Sequence, residues 1–306
     1  MLITIVTPSF KRPDFLNQTI ESVLSQEGDF ELEYIVQDGG GCKLTKEIIE
    51  KKITSSLLAK YASKRKMFAY FEKDNGMYSA INRAFSRSSG EIMGWINSDD
   101  MYHPFALDTV RRIFQSYPDV DWITGIPNSY NKFSAMTGFD TFPNAYSQKF
   151  IAEGFYDVKF IDHGLNWIQQ ESTFWRRGLW DKAGTLNEEL KYASDFFLWK
   201  NFALHSDLVK VYTFLGGFRV HEKQFTADPN RYRSELPVFT PPKGLKKLYD
   251  IVSKNKYEYT KHLDFNDIAV KKLSDDFGLN REHLTGRTIK WNYSENVWKI
   301  YWDLIL

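Results

Sequence analysis

Two adjacent carboxylates, Asp99 and Asp100, close an apolar run in "GEIMGWINSDDMYHP", Gly90 to Pro104. Like charges side by side repel unless something neutralises them. One reading makes Ser98, Asp99 and Asp100 the cap of a helix opened by Pro104. The other puts a divalent cation at the end of a strand, since Mg²⁺ and Mn²⁺ take hard oxygen ligands. Two further apolar runs end in polar groups, at Thr7-Pro8-Ser9 and at Asp38-Gly39-Gly40.

The elements that carry these residues alternate. Strands are expected at Leu2 to Thr7, in "ELEYIVQDGGG", in "MFAYFEKDNG", in "EIMGWIN" and in "DWITG". Helices are expected between them, in "PDFLNQTIESVLSQ", "KLTKEIIEKKITSSLLAKYASK", "MYSAINRAFSRSSG" and "PFALDTVRRIFQSYPD". Alternation of this kind implies an α/β fold with a parallel sheet, and ligands of such sheets bind beyond the carboxyl ends of the strands. The acidic pair then lies on the functional edge, which favours the cation over the cap. No G-x-G-x-x-G follows the first strand, and no P-loop pattern occurs, so dinucleotide and P-loop sites lose their main support.

Bulk numbers narrow the class. The 306 residues carry 40 Lys plus Arg and 39 Asp plus Glu, a balance that argues against a dedicated nucleic-acid binder. A single cysteine, Cys42, excludes an internal disulfide and a cysteine-based zinc site. No apolar run reaches the roughly 18–20 residues of a membrane span, and no signal peptide is expected at the N-terminus. Aromatic residues make up 16%, which fits either a large aromatic core or a surface that stacks on sugars or meets a membrane.

Four segments in order, "TPSFKRPDFLNQTIESVLSQ", "YIVQDGG", "EKDNGMYSAINRAFSRSSGEIMGWINSDD" and "QQESTFWRRGLWDKAG…ASDFFLW", resemble the family 2 glycosyltransferases of the GT-A fold. The likeness runs from about Leu2 to His221. It implies an enzyme that moves a sugar from a nucleotide donor to a glycan or lipid-linked acceptor. By that resemblance Thr7, Pro8 and Ser9 border the nucleotide, Asp38 contacts the base, and Asp74, Gly76 and Asn82 belong to the donor side. Asp99 and Asp100 match the acidic motif that holds metal and donor, with Asp100 favoured as the direct ligand and Ser98 beside them. Ser79 stands where the family often has Asp. Arg12, with Lys11, follows the first strand and either meets the diphosphate or faces solvent. Arg176 and Arg177 are a second cationic pair with the same two alternatives.

Asp195 in "YASDFFLW" matches the family's general base. A carboxylate in so apolar a frame is a stronger base than usual, and one base in a single displacement inverts the anomeric centre. Helix capping by Ser194 or Asp195 is compatible with that role. Gln170, Glu171 and Ser172, with Gln169, are expected against the acceptor or donor sugar, or else along a polar strand edge. His221, after a strand "LVKVYTFLGGF", matches a histidine that some members use as a further metal ligand. His103 and His163 receive no role beyond the surface or the acceptor side.

The expected organisation is a catalytic domain over 1–236, with a donor-nucleotide half (1–125) and an acceptor half (126–236), then a helical extension over 237–306. Three tail helices are expected, the last in "TIKWNYSENVWKIYWDLIL". They pack on the catalytic domain, associate with another copy, or lie on a membrane. The combined expectation is a cytoplasmic, metal-dependent (Mn²⁺ or Mg²⁺), inverting glycosyltransferase of surface polysaccharide synthesis, peripheral to the inner membrane face if the tail binds lipid. UDP or dTDP is favoured because Asp38 suits an imide N–H. The alternatives are a sugar nucleotidyltransferase and a catalytically silent nucleotide- or glycan-binding subunit.

Overall fold

The structure is a computed structural model that describes residues 1–55, 60, 63–141, 144–156, 167–222, 224, 228–237, 244 and 267–305. Strand β1 (Leu2–Ser9) is buried along almost its whole length, as a strand covered on both faces must be. Helix α1 (Pro13–Leu24) starts on the proline, whose fixed φ suits a first turn, and buries Leu16, Ile20, Val23 and Leu24. Next come β2 (Glu31–Asp38), α2 (Lys43–Ile53), β3 (Arg65–Phe71), α3 (Met77–Ser86) and β4 (Ile92–Trp95). These strands are parallel, in the order β4-β1-β2-β3, so Ser9, Asp38 and Asn97 emerge at one sheet edge.

The chain continues through β5 (Met101–Tyr102), α4 (Ala106–Ser116), β6 (Trp122–Thr124), β7 (Asn128–Asn131), β8 (Met136–Phe139) and α5 (Gln148–Glu153). After a single 3₁₀ turn (Gln170–Ser172) come β9 (Thr173–Arg176), α6 (Arg177–Ala183), α7 (Ser194–Ala203), β10 (Leu208–Val211), β11 (Gly216–Val220) and α8 (Pro229–Glu235). The described tail holds α9 (Asp267–Phe277), α10 (Arg281–Leu284), β12 (Thr285–Asn292) and β13 (Val297–Leu304).

Nine strands form one sheet in the order β13-β12-β10-β6-β9-β4-β1-β2-β3, and β5-β11-β7-β8 form a second. The expected all-parallel sheet is corrected at β9, which runs antiparallel to β4 and to β6. Gly94 admits that strand: a Cβ there would stand 2.9 Å from the Phe174 ring. The expected single strand in "LVKVYTFLGGF" divides into β10 and β11, one in each sheet.

The last expected helix is a β-hairpin. Strands β12 and β13 pair antiparallel from Thr285–Leu304 to Asn292–Val297, and β12 joins the main sheet beside β10. The described end of the tail therefore extends the sheet rather than forming a helical extension. Of the other two tail helices, the second is α9, while the first, in "LKKLYDIVSKNKYEYTKHL", lies outside the described residues. So do Pro241 and Pro242 of the expected boundary, and His163.

Much of the aromatic surplus is core. Trp95 and Trp199 stack at 5.7 Å, Trp122 lies 5.8 Å from Trp199, and Trp175 meets both Trp95 and Phe202. This cluster fills one face of the sheet, and Ile3, Ile5, Leu16, Ile20, Leu107 and Val110 fill the other.

Candidate active site

The loop after β4 folds into a turn that separates the two aspartates. Asp100 turns inward and is almost fully buried. Its Oδ1 accepts the backbone N–H of Arg219 at 2.7 Å, and its Oδ2 accepts Asn97 Nδ2 at 3.2 Å. Burial raises its carboxyl well above the usual range, and the charges of Glu171 and Asp99 push the same way. Neither aspartate caps α4, which follows Phe105 in a left-handed conformation with no side-chain cap.

Asp99 stays half-buried, and its Oδ2 lies 3.0 Å from His221 Nε2. Arg12 approaches the same oxygen at 3.8 Å. The structure thus offers Asp99, not Asp100, beside His221. Asp100, favoured from the sequence, has both oxygens engaged inside the protein. His221 just follows β11, which reaches the loop because Gly216 and Gly217 pair with β5. Arg219 on the same strand is buried and gives Nε–H to the Asp99 carbonyl at 2.6 Å. It also bonds Gln18 and Ser134 and stacks its guanidinium on Phe15.

The residues fit a divalent ion. Asp99 and His221 present one hard oxygen and one imidazole nitrogen that already touch. Such ions often take only one or two protein ligands and complete the shell from phosphate and water. No group of three His, Cys, Asp or Glu suited to a metal occurs among the described residues.

Beside this corner opens a cavity of about 360 Å³ lined by Asn97, Gln170, Glu171 and Asp195, with Trp95, Tyr78, Tyr192 and Tyr232 among its aromatic walls. Asp195 sits in the first turn of α7. Its Oδ1 is buried without a hydrogen-bond partner among the described residues. Burial raises its carboxyl to about 7. Glu171 is also raised to about 7, chiefly by burial. Gln170 gives Nε2–H to the Trp95 carbonyl at 2.5 Å, and Asn97 reaches both Gln170 and Glu171.

A third corner forms at the ends of β1 and β2. Asp38 is buried, and its Oδ1 accepts Gly40 N–H at 2.8 Å. Burial raises its carboxyl, against the lowering effect of the Ser9 hydroxyl and of Gly40. Gly39 is packed so closely that a Cβ would meet Asp74 Oδ2 at 2.8 Å and the Phe10 ring at 2.9 Å. Asp74 in turn accepts Gly76 N–H at 3.0 Å, where Gly76 opens α3 with φ of 123°. Pro8 lies between Thr7 and Ser9 at the end of β1, and Ser98 sits in the turn after β4.

Several expected ligand contacts are committed elsewhere. The Thr7 hydroxyl points into the core and accepts Tyr34 Oη–H at 3.0 Å. Asn82 bonds both N–H and C=O of Leu186, tying α3 to a distant loop. Ser172 holds β11 through the Gly216 carbonyl at 2.7 Å, and Gln169 holds Asn128 at the start of β7. Arg176 and Arg177 bond carbonyls of Phe114 and Gly90 at the other end of β4, so they cannot serve a donor here. His103 is half-buried and bonds Asn128 and Tyr130. Arg219 carried no signal in the sequence, since its Asp99 partner lies 120 residues away.

Residues 4–176 match the family model described as "Glycosyl transferase family 2". An uncharacterized glycosyltransferase of Rickettsia typhi is 25% identical over 228 residues, 74% of this chain and 66% of that protein. The chain thus spans just under two thirds of the length of that relative. A putative teichuronic acid biosynthesis glycosyltransferase of Bacillus subtilis, TuaG, is 27% identical over 107 residues, 35% of this chain and 39% of that one. Among solved structures, S. aureus TarS 1–349 in complex with UDP-GlcNAc superposes with a TM-score of 0.55 at 15% identity, covering 92% of this chain and 74% of that one. The mannosyltransferase PcManGT from Pyrobaculum calidifontis, in complex with GDP-Man and Mn²⁺, gives 0.53 at 12%, covering 92% and 81%. At these identities the superpositions show a shared fold.

Proposed function

The chain belongs to glycosyltransferase family 2, and we propose that it moves a sugar, with inversion, from a nucleotide-sugar donor to a hydroxyl of a glycan or lipid-linked acceptor. The observation that carries this reading is Asp195 Oδ1, buried without a partner among the described residues in a cavity beside the Asp99–His221 corner. The donor spans three corners. Asp38, Ser9 and Asp74 meet the nucleoside, Asp99 and His221 face its diphosphate, and the sugar enters the cavity along Gln170 and Glu171. UDP is the favoured nucleotide: Asp38 can accept an imide N–H, and the TarS complex with UDP-GlcNAc lends support.

Asp99 and His221 would hold a divalent cation, Mn²⁺ or Mg²⁺, and such an ion stabilises charge on a departing diphosphate. The Mn²⁺ complex of PcManGT supports this assignment. Asp100 holds the turn rather than the ion. Arg12, beside Asp99, can turn toward an incoming phosphate, since a partly exposed pair 3.8 Å apart is weak.

Asp195 accepts the proton of the attacking hydroxyl. With a carboxyl raised to about 7, it is ionised in a useful fraction near neutrality and basic enough to take that proton. Aromatic walls suit the apolar faces of sugar rings. The neighbouring charge of Glu171, also buried, favours a positively charged sugar centre as the bond to the leaving group breaks. The reaction is cytoplasmic on this reading. Among the described residues no helix is long and apolar enough to cross a membrane.

A thermal-shift panel of UDP, dTDP, GDP and CDP, each with Mn²⁺ or EDTA, tests the reading. One diphosphate, UDP first, is expected to stabilise the protein strongly with Mn²⁺ and weakly with EDTA. No response to any of the four would overturn it.

A further inference from the structure

The base assigned above depends on a short turn that is held from far along the chain. Residues Lys191, Tyr192 and Ala193 lead directly into α7, whose first turn carries Asp195. Their three consecutive backbone N–H groups all point to one side chain. Lys191 N–H donates to Glu235 Oε1 at 2.8 Å, Tyr192 N–H to Oε2 at 2.8 Å, and Ala193 N–H to Oε2 at 2.9 Å. Glu235 ends α8, and the next residue, Leu236, packs with Ala193 and Phe196 in a small separate core. Tyr232 and Arg233 of the same helix line the cavity.

A carboxylate on a nest of backbone N–H groups is held far more firmly than a surface charge, because each bond is charge-assisted. Such a contact does two things. It fixes the entry angle of the base helix, and it places a second carboxylate near the base.

We propose that Glu235 is a positioning residue for Asp195, gripping the 191–193 turn so that the carboxylate of Asp195 faces the cavity, and holding a like charge beside it. This rests on the reading of Asp195 as the base. Other groups face Asp195 too: Tyr78 from α3, Glu171 from the 3₁₀ turn and Tyr232 from α8, with Tyr192 and Arg233 on the same cavity wall. Burial is the first cause of its raised carboxyl, and the Glu235 charge adds in the same direction. Glutamine at 235 removes that charge and leaves one acceptor oxygen for three N–H groups. Aspartate keeps the charge.

The test needs no substrate. In full-length protein labelled with [¹³Cγ]Asp, the Asp195 resonance is identified by its loss in Asp195→Asn and followed against pH. The expected result is titration at lower pH in Glu235→Gln than in wild type, with Glu235→Asp close to wild type. Amide hydrogen exchange of Lys191, Tyr192 and Ala193 is expected to be slow in wild type and fast in Glu235→Gln. An unchanged Asp195 titration in Glu235→Gln overturns the proposal. Fast exchange of the three amides in wild type overturns it as well, even if the glutamine variant does not fold. Sugar transfer by Asp195→Asn is a separate outcome: retained activity there removes the base assignment and leaves the Glu235–Asp195 linkage to stand or fall on the titration.

Discussion

His221 Nε2 stands 3.0 Å from Asp99 Oδ2, joining residues 122 apart in sequence across the junction of the two sheets. A carboxylate alone suits Mg²⁺ well, whereas an added imidazole moves preference toward Mn²⁺ and later transition metals. Mn²⁺ is therefore expected to support tighter UDP binding than Mg²⁺. His221→Ala should narrow that gap by costing more with Mn²⁺. Calorimetric titration of UDP with each metal measures both, and equal metal preference in mutant and wild type would remove His221 from the site.

Asp195→Asn keeps shape and removes proton acceptance. Sugar transfer is expected to fall by roughly 10²–10⁴-fold, with UDP affinity little changed. Donor affinity collapsing alongside activity would make Asp195 a donor contact instead.

The same carboxyl links stability to pH. Its folded value, about 7, lies above the ordinary aspartate value of 3.8. A buried acid of this kind favours the folded state while protonated, so its contribution is complete below about pH 4 and is lost as pH rises through about 7. The loss is about 4 kcal/mol at one pKa unit per 1.36 kcal/mol. Urea unfolding across this range should therefore show a downward slope in wild type that is shallower in Asp195→Asn. Parallel curves for the two proteins would contradict the burial argument.

Arg219 spends its guanidinium on the Asp99 carbonyl, Gln18, Ser134 and the Phe15 ring. Arg219→Met removes a buried cation whose partners then lack a donor. A loss of about 3 kcal/mol in stability is expected, together with weaker Mn²⁺ binding as the Asp99 turn loosens. Wild-type stability would show that the clamp is dispensable.

The hairpin β12–β13 covers the β10 edge of the main sheet, and Ile289 is buried there. Deleting residues 285–306 uncovers that edge and strips apolar cover from Val211 and Leu208. Aggregation or loss of cooperative unfolding is expected. A soluble, cooperatively melting truncation would show instead that the hairpin is an appendage.

The polar edge of the sheet was legible because its signals are local. Apolar strands end in polar residues at Ser9, Asp38 and Asn97, and parallel pairing brings those ends together. The choice between Asp99 and Asp100 was not legible, because the partners that bury Asp100, Arg219 and Glu171, come from distant elements. Nor was the engagement of Thr7 legible: its hydroxyl turns inward and accepts Tyr34 Oη–H. The tail hairpin did carry a signal. "NYSEN" is a turn cluster between two β-branched and aromatic runs, and Asn296 adopts the left-handed φ of 58° that asparagine tolerates. Helical spacing of the aromatic residues outweighed it. Nothing near Glu235 announces its contact with a turn 42–44 residues earlier.

The most direct measurement of the central claim is anomalous diffraction from crystals of the full chain grown with UDP and Mn²⁺. One manganese peak is expected, bonded to an Asp99 oxygen and His221 Nε2, with diphosphate oxygens completing its shell and Asp195 open to the cavity beside it. UDP bound elsewhere, or bound with the Asp99–His221 hydrogen bond intact and no manganese between them, would contradict it.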